Sequence, residues 1–264
     1  MMTNGVVSTG SGRRPARAVG LRVGSFFVTI NYAPYLIAKS NGLFDNLGND
    51  GVTYITFQSL APITEAFASK QIDAVFEAAP PALISKSAGI DLKIVSVSCS
   101  VRQRILVPVQ SKAISTADLT GARIAVLTGT SSHYAVFKIL KDEGIEADKV
   151  EIANMIPTDA WNAFRAGQVD AWAIWSPFVE QAEITRVGRV LLGGSALVHS
   201  ILAVRGSFAK KNRTTVEAIV DVLNNTKAWM QREPQMAQAT VADVLDIPKK
   251  VVERAWPRHD WAAS

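Results

Sequence analysis

Short apolar runs alternate with longer stretches of helical spacing along most of the chain. The clearest unit is 122–143. There ARIAVL reads as a buried strand, TGTSSHY as a small polar turn and AVFKILKDE as an amphipathic helix. The same succession recurs on both sides. Strands are predicted at 21–27, 52–57, 73–76, 92–98, 105–109, 150–155, 170–175, 189–192 and 201–205. Helices are predicted at 32–41, 61–70, 80–88, 158–165 and 177–184. Pro62 and Pro80 fall in first helical turns, Gly42 follows a last turn, and Thr158 reads as an N-cap. From Thr214 to Trp256 the pattern is helical almost throughout, with breaks near Pro234 and Pro248. Strands alternating with helices predict an α/β fold with largely parallel sheets.

The two halves echo each other. AFASKQIDA at 66–74 matches AFRAGQVDA at 163–171, and Pro80 then falls on Pro177 at the same offset. Tyr32-Ala33 likewise echoes Tyr134-Ala135. A two-lobe duplication accounts for several matches in one order. Open α/β sheets bind ligands beyond the C-terminal ends of their strands, so two such lobes predict one shared cleft that closes by hinge motion. The strand-end segments are 28–32, 59–60, 77–80, 128–133, 175–176 and 198–200. They carry Asn31, Tyr32, Ser59, Glu77, Ala78, Ala79, Thr130, Ser131, Ser132, His133, Trp175, Ser176 and His199.

Composition narrows the chemistry. The chain has 264 residues, 48% hydrophobic and 19% charged, with net charge +5. That suits a full core and mildly favours an anionic small molecule. The basic residues are scattered rather than clustered, which argues against nucleic acid. With Cys99 as the only cysteine, no intrachain disulfide forms, and its apolar strand reads as burial rather than reactivity. No apolar run reaches membrane-spanning length. The stretch 1–18 reads as a disordered tail with no secretory leader visible. Neither His133 nor His199 has partners at metal-ligand spacing, and neither a G-x-S-x-G elbow nor a Walker loop is present. No metal or cofactor is expected.

Within the cleft set, the turn 128–132 places glycine and hydroxyls where a helix begins. Free N–H groups and the helix dipole there attract an anion, although Thr130 or Ser131 could serve only as a cap. Trp175 and Tyr32 supply apolar walls. By strand alternation, Trp172 and Ile174 face one way and Ala173 and Trp175 the other. Trp161, on a helix, reads as packing. Glu77 would repel an anion, accept from an amine or pyrimidine ring, or simply face solvent.

The segments 35–44, 66–73, 88–91, 118–125, 129–134 and 159–178 together resemble a known family, over a span of roughly 21–256. It is the periplasmic binding-protein-like (type II) group of aliphatic sulfonate, nitrate and taurine substrate-binding proteins of ABC importers, which also includes binders of thiamin pyrimidine precursors. GTSSHY with VDAWAIWSPF looks most like the sulfonate-binding branch. The resemblance implies two lobes, each a mostly parallel sheet flanked by helices. It implies lobe 1 at 19–108 plus 206–264, lobe 2 at 109–205, and crossovers near 107–111 and 204–207. It also implies an anion head seated on the helix starts at Asn31-Tyr32 and Ser131-Ser132, with Ser59, Ala78, Ala79 and Trp175 around it. The partners implied are a small organic anion and a membrane permease, the state monomeric and the location periplasmic, or cytoplasmic if the visible start is the true one. The family pattern usually has an acidic residue at Ser176 and a further helical segment after Trp261. An enzyme on the same scaffold, a desulfinase-like lyase, is the alternative. Its nucleophilic cysteine belongs in the first strand-end turn, where this chain has Val28-Thr29-Ile30-Asn31.

Overall fold

The structure, a computed structural model, describes residues 20–26, 29–45, 47, 51–57 and 60–262. Val28, Ser59 and the tail 1–18 lie outside the described residues. The strands in chain order are β1 (Leu21–Phe26), β2 (Val52–Phe57), β3 (Ala74–Ala78), β4 (Leu92–Gln103), β5 (Ile105–Pro108), β6 (Arg123–Val126), β7 (Glu151–Asn154), β8 (Ala171–Ala173), β9 (Gly188–Val190), β10 (Ala196–Arg205) and β11 (His259–Asp260). The helices are α1 (Ala33–Ser40), α2 (Leu60–Ala68), α3 (Ala79–Ser87), α4 (Ser131–Asp142), α5 (Pro157–Arg165), α6 (Phe178–Ile184), α7 (Gly206–Lys211), α8 (Arg213–Arg232), α9 (Pro234–Leu245) and α10 (Lys249–Ala255).

Two sheets form the frame, with orders β11-β4-β10-β3-β1-β2 and β7-β6-β8-β5-β9. Each has a parallel trio at its heart, β2-β1-β3 in one and β7-β6-β8 in the other. The strand added next to each trio, β10 or β5, runs antiparallel. This is the duplicated arrangement that the internal echo predicts. The crossovers differ from expectation. β4 runs unbroken to Gln103, so the chain changes sheet at Arg104, and it returns between Val190 and Ala196. Strand 105–108 therefore belongs to the second sheet and 196–205 to the first. No glycine or proline marks the first change at Arg104, whereas Gly193 and Gly194, the former at φ 100°, lie in the return segment.

The echo is built on one repeated device. Asp73, at the foot of β3, accepts from the main-chain N of Arg22 at 3.1 Å and from its guanidinium at 2.9 Å. Asp170, at the foot of β8, accepts from the main-chain N of Arg123 at 2.8 Å. Just before each aspartate the chain leaves its helix through a left-handed residue, Lys70 at φ 61° and Gly167 at φ 67°. Glycine takes that conformation freely. Lys70 takes it within the same turn. Asp73 is almost fully buried and also bonded by Arg205, whereas Asp170 is exposed. Asp73→Asn should therefore destabilise the fold by about 2 kcal/mol, at the low end for a broken buried pair because Arg22 is partly solvated. Asp170→Asn should cost below about 1 kcal/mol. Urea midpoints of the two variants check the contrast.

A continuous apolar core joins the lobes. Phe67, Ile72 and Val75 of the first share it with Phe164, Trp172 and Ile174 of the second. Phe26 meets Trp175 at a centroid distance of 6.2 Å. Trp172 is completely buried among Trp161, Phe164 and Phe178. Trp175 belongs to the same cluster as Trp172, because β8 ends at Ala173 and strand alternation ends with it. Gly24 fits tightly where β1 lies between its neighbours: a Cβ there would sit 3.0 Å from the Phe57 ring and 3.1 Å from the Ile72 side chain, which would have to shift. Helix α5 starts one residue before expectation. Pro157 holds its first position and Ile156 the cap, so Thr158 is not a cap.

Candidate functional site

Strand β6 ends in an exposed turn and α4 begins at Ser131. Thr130 is its N-cap, with its hydroxyl accepting from the His133 N–H at 3.3 Å. The main-chain N–H groups of Ser131 and Ser132 have no acceptor among the described residues. Both side chains are buried and clasp Gln103 of β4. Gln103 Nε2 donates to Ser131 Oγ at 2.8 Å, and Ser132 Oγ donates to Gln103 Oε1 at 2.9 Å. Because Ser131 Oγ accepts, its own proton is free to donate elsewhere. The start of this helix thus offers two N–H groups and one hydroxyl, backed by a dipole whose positive end lies there.

The facing helix starts are chemically different. In the turn Ile30–Tyr32, Asn31 N donates to Thr29 Oγ1 at 3.4 Å and Tyr32 N to Thr29 O at 3.1 Å. At α3, Pro80 and Pro81 remove N–H groups from the first turn. The two helix starts expected to seat an anion head thus differ: the N–H groups of Asn31 and Tyr32 are engaged, while among the described residues those of Ser131 and Ser132 are not. The first lobe contributes a latch instead. Thr29 Oγ1 donates to the main-chain carbonyl of Ser176 at 2.7 Å across the cleft.

Between these elements lies a cavity of about 20 Å³, walled by Asn31, Tyr32, Ala78, Thr130, Ser131 and Trp175 from the expected set. Thr29, Ser200, Phe26 and Pro81 complete it. Thr29 and Ser200 fall inside strand-end segments that the sequence marks. Nothing in the sequence marks Gln103, which lies beyond the predicted end of its strand. Six described members of the expected set are not on this wall: Ser132 holds Gln103, Ser176 accepts from Thr29, and four others stand apart. His199 faces away because β10 alternates, Ser200 taking the cavity side and His199 pairing with Ser100 at 2.7 Å. His133 is half-buried and its Nδ1 accepts from the Gly129 N–H at 3.3 Å, so its ring supports the turn; burial lowers its pKa. Ala79 starts α3 outside the cavity wall, where Pro81 stands. Glu77 is buried on β3 rather than solvent-facing, and burial pushes its carboxyl up to about 8.

A larger space, about 1040 Å³, opens on the crossover side and shares Asn31 and Trp175 with the small cavity; Ser176 and His199 line it. It has more room, and Arg102, Arg104 and Arg258 also line it, so it carries positive charge that the small cavity lacks. The helix start that reaches it is α6, seven residues long, whose first turn already carries the buried Glu180. Arg258 pairs with Glu180 at 3.0 Å and with Glu183 at 2.7 Å, tying α6 to the chain after α10. The convergent free donors are at α4, so the small cavity is the candidate site. Cys99 does not enter either space as a nucleophile: it is fully buried, its thiol pKa pushed up to about 12 by burial.

Two duplicated sheets with helix starts facing across a cleft define the architecture of type II binding proteins. The chain belongs to the NMT1-like family, whose model matches residues 15–246. It is 30% identical over 229 residues to a putative aliphatic sulfonates-binding protein of Bacillus subtilis (strain 168), covering 84% of this chain and 69% of the relative. It is 26% identical over 240 residues to the taurine-binding periplasmic protein of Escherichia coli (strain K12), covering 84% of this chain and 74% of that protein. Among solved structures it is similar to the alkanesulfonate-binding protein SsuA from Xanthomonas axonopodis pv. citri bound to MOPS. The TM-score is 0.76 at 25% identity, over 92% of this chain and 84% of that one.

Proposed function

We propose that this chain is the substrate-binding component of an ABC importer and captures a small organic sulfonate between its lobes. The observation that carries the reading is the start of α4, where the N–H groups of Ser131 and Ser132 and the Ser131 hydroxyl stand free beside the cavity. A sulfonate head is a fixed, tetrahedral set of three acceptor oxygens, which such donors hold without a counter-charge. Trp175 and Phe26 would wall its carbon tail. A cavity of about 20 Å³ holds about one water. Entry of any organic anion therefore requires the lobes to part about the crossovers at Arg104 and 191–195 and close again. The protein would work as a monomer outside the cytoplasmic membrane, handing its ligand to a membrane permease. That location rests on the relatives.

Thermal-shift titration with alkanesulfonates, taurine and nitrate tests the ligand class. A midpoint that climbs with sulfonate concentration is the expected result, since only the folded state binds. No response to any sulfonate would remove the reading. The latch gives a second test. Thr29→Val keeps the shape but leaves the Ser176 carbonyl unpaired in the closed state, so affinity should fall about fivefold. Calorimetric titration measures this directly.

A further inference from the structure

His259 opens β11 and is buried, its ring stacked on Trp261 at 4.8 Å with an interplanar angle of 6°. One ring nitrogen, Nδ1, lies 2.9 Å from the main-chain carbonyl of Ala255. The other, Nε2, lies 2.9 Å from the side-chain amide of Asn31, at the atom assigned as Oδ1. A carbonyl oxygen only accepts, so Nδ1 carries the proton. With the amide as assigned, Nε2 would carry a proton too and the ring would be a buried cation. Among the described residues no carboxylate is bonded to the ring, Glu180 and Glu183 of α6 are engaged by Arg258, and Asp260 is exposed. Lys227, on the neighbouring α8, donates to the Val97 carbonyl at 3.1 Å. Burial and the adjacent Arg258 charge hold the ring neutral, its pKa lowered to about 4.

A neutral ring protonated at Nδ1 presents only a lone pair at Nε2. The amide group facing it must then be the NH₂ of Asn31, which a half-turn of the amide supplies without change of shape. The side-chain oxygen of Asn31 is left pointing the other way. Asn31 lines the small cavity, and no other described residue bonds its amide group. Its main-chain carbonyl accepts from the Cys99 thiol at 3.3 Å, which fixes the backbone beneath it.

We infer that His259 is a positioning residue: it holds Asn31 with its amide oxygen toward the cleft, so the site selects sulfonates that carry a hydrogen-bond donor at the end facing Asn31. An ammonium or hydroxyl group meets an acceptor there, while an unsubstituted alkyl chain leaves that acceptor unpaired. This deepens the sulfonate reading and rests on it. The free donors on α4 take the anionic head, and the acceptor on the opposite lobe takes the other end.

Two measurements on the intact chain test the inference separately from the reading beneath it. Nitrogen-15 NMR of the His259 ring at pH 7 should show Nδ1 protonated and Nε2 bare; a protonated Nε2 overturns the inference whatever the protein binds. Calorimetry with 2-aminoethanesulfonate and 1-propanesulfonate, which match in length, should give about tenfold tighter binding of the amino compound. Equal binding, or preference for the alkyl compound, overturns the inference and leaves the sulfonate reading standing. Failure of both to bind overturns the sulfonate reading and the selectivity with it. In His259→Gln, whose amide can present either a donor or an acceptor to Asn31, the preference should shrink below about threefold. An unchanged preference in a folded variant overturns the positioning role.

Discussion

Ser131→Asp is expected to abolish sulfonate binding, raising the Kd at least about a hundredfold, while the unliganded fold keeps its stability. The two halves of that expectation have one cause. A carboxylate at the first position of a 12-residue helix lies where the dipole favours negative charge, a gain of about 0.3–1 kcal/mol. Gln103, whose Nε2 already donates to Ser131 Oγ at 2.8 Å, can donate to the new carboxylate as well. The variant thus fills the anion site with a tethered anion and repels a free one. Circular dichroism melts and calorimetry on the same preparation measure both halves. Wild-type affinity in this variant would mean that the ligand's head does not sit on α4.

The second large effect concerns pH. Glu77 is buried and its carboxyl titrates near 8, against about 4.3 in an unfolded chain. Between those values the folded protein keeps a proton that the unfolded chain has lost. Stability from this group is therefore full below about pH 4.3 and falls as pH rises toward 8, at up to about 1.4 kcal/mol per pH unit. The whole loss is on the order of 4 kcal/mol, since relaxation around the carboxylate takes back part of the ideal figure. Glu77→Gln mimics the protonated acid in shape and cannot ionise. Its urea midpoint should match wild type near pH 4 and exceed it clearly at pH 8.5. Parallel pH profiles would rule out this burden on Glu77. Of the three roles the sequence leaves open for Glu77, burial removes the solvent-facing one, and with its carboxyl pushed up to about 8 it is mostly uncharged at neutral pH.

The duplicated architecture was legible because its signals are local. Phe67 and Phe164, Ile72 and Val169, Asp73 and Asp170 occupy equivalent places in the two lobes, so the echo in the letters is an echo in the packing, although only Asp73 is buried and ion-paired. The start of α4 was legible for the same reason, as hydroxyls and glycine at a helix start have local physics. What the sequence did not disclose is relational. Gln103 matters because β4 overruns its predicted end and reaches the other lobe. His259 matters because the chain's last described segment folds back on to β4, beside a residue at the opposite end of the sequence. The helix starts read alike in the sequence, yet Thr29 engages the N–H groups of Asn31 and Tyr32, and Pro80 and Pro81 lack theirs. His199 and Ser200 differ by a single position, and the phase of one strand decides which of them meets the cavity.

The paired Arg–Asp anchors at the feet of β3 and β8 have a consequence for how such a protein changes over time. Each aspartate bonds at the N-terminal ends of its lobe's strands, and the proposed ligand cavity lies at their C-terminal ends. Instructions for folding and instructions for recognition therefore occupy opposite ends of the same strands. Residues such as Asn31, Ser131 and Trp175 can be exchanged to suit a new ligand while the anchors keep the frame, which lets one scaffold be re-addressed without being rebuilt.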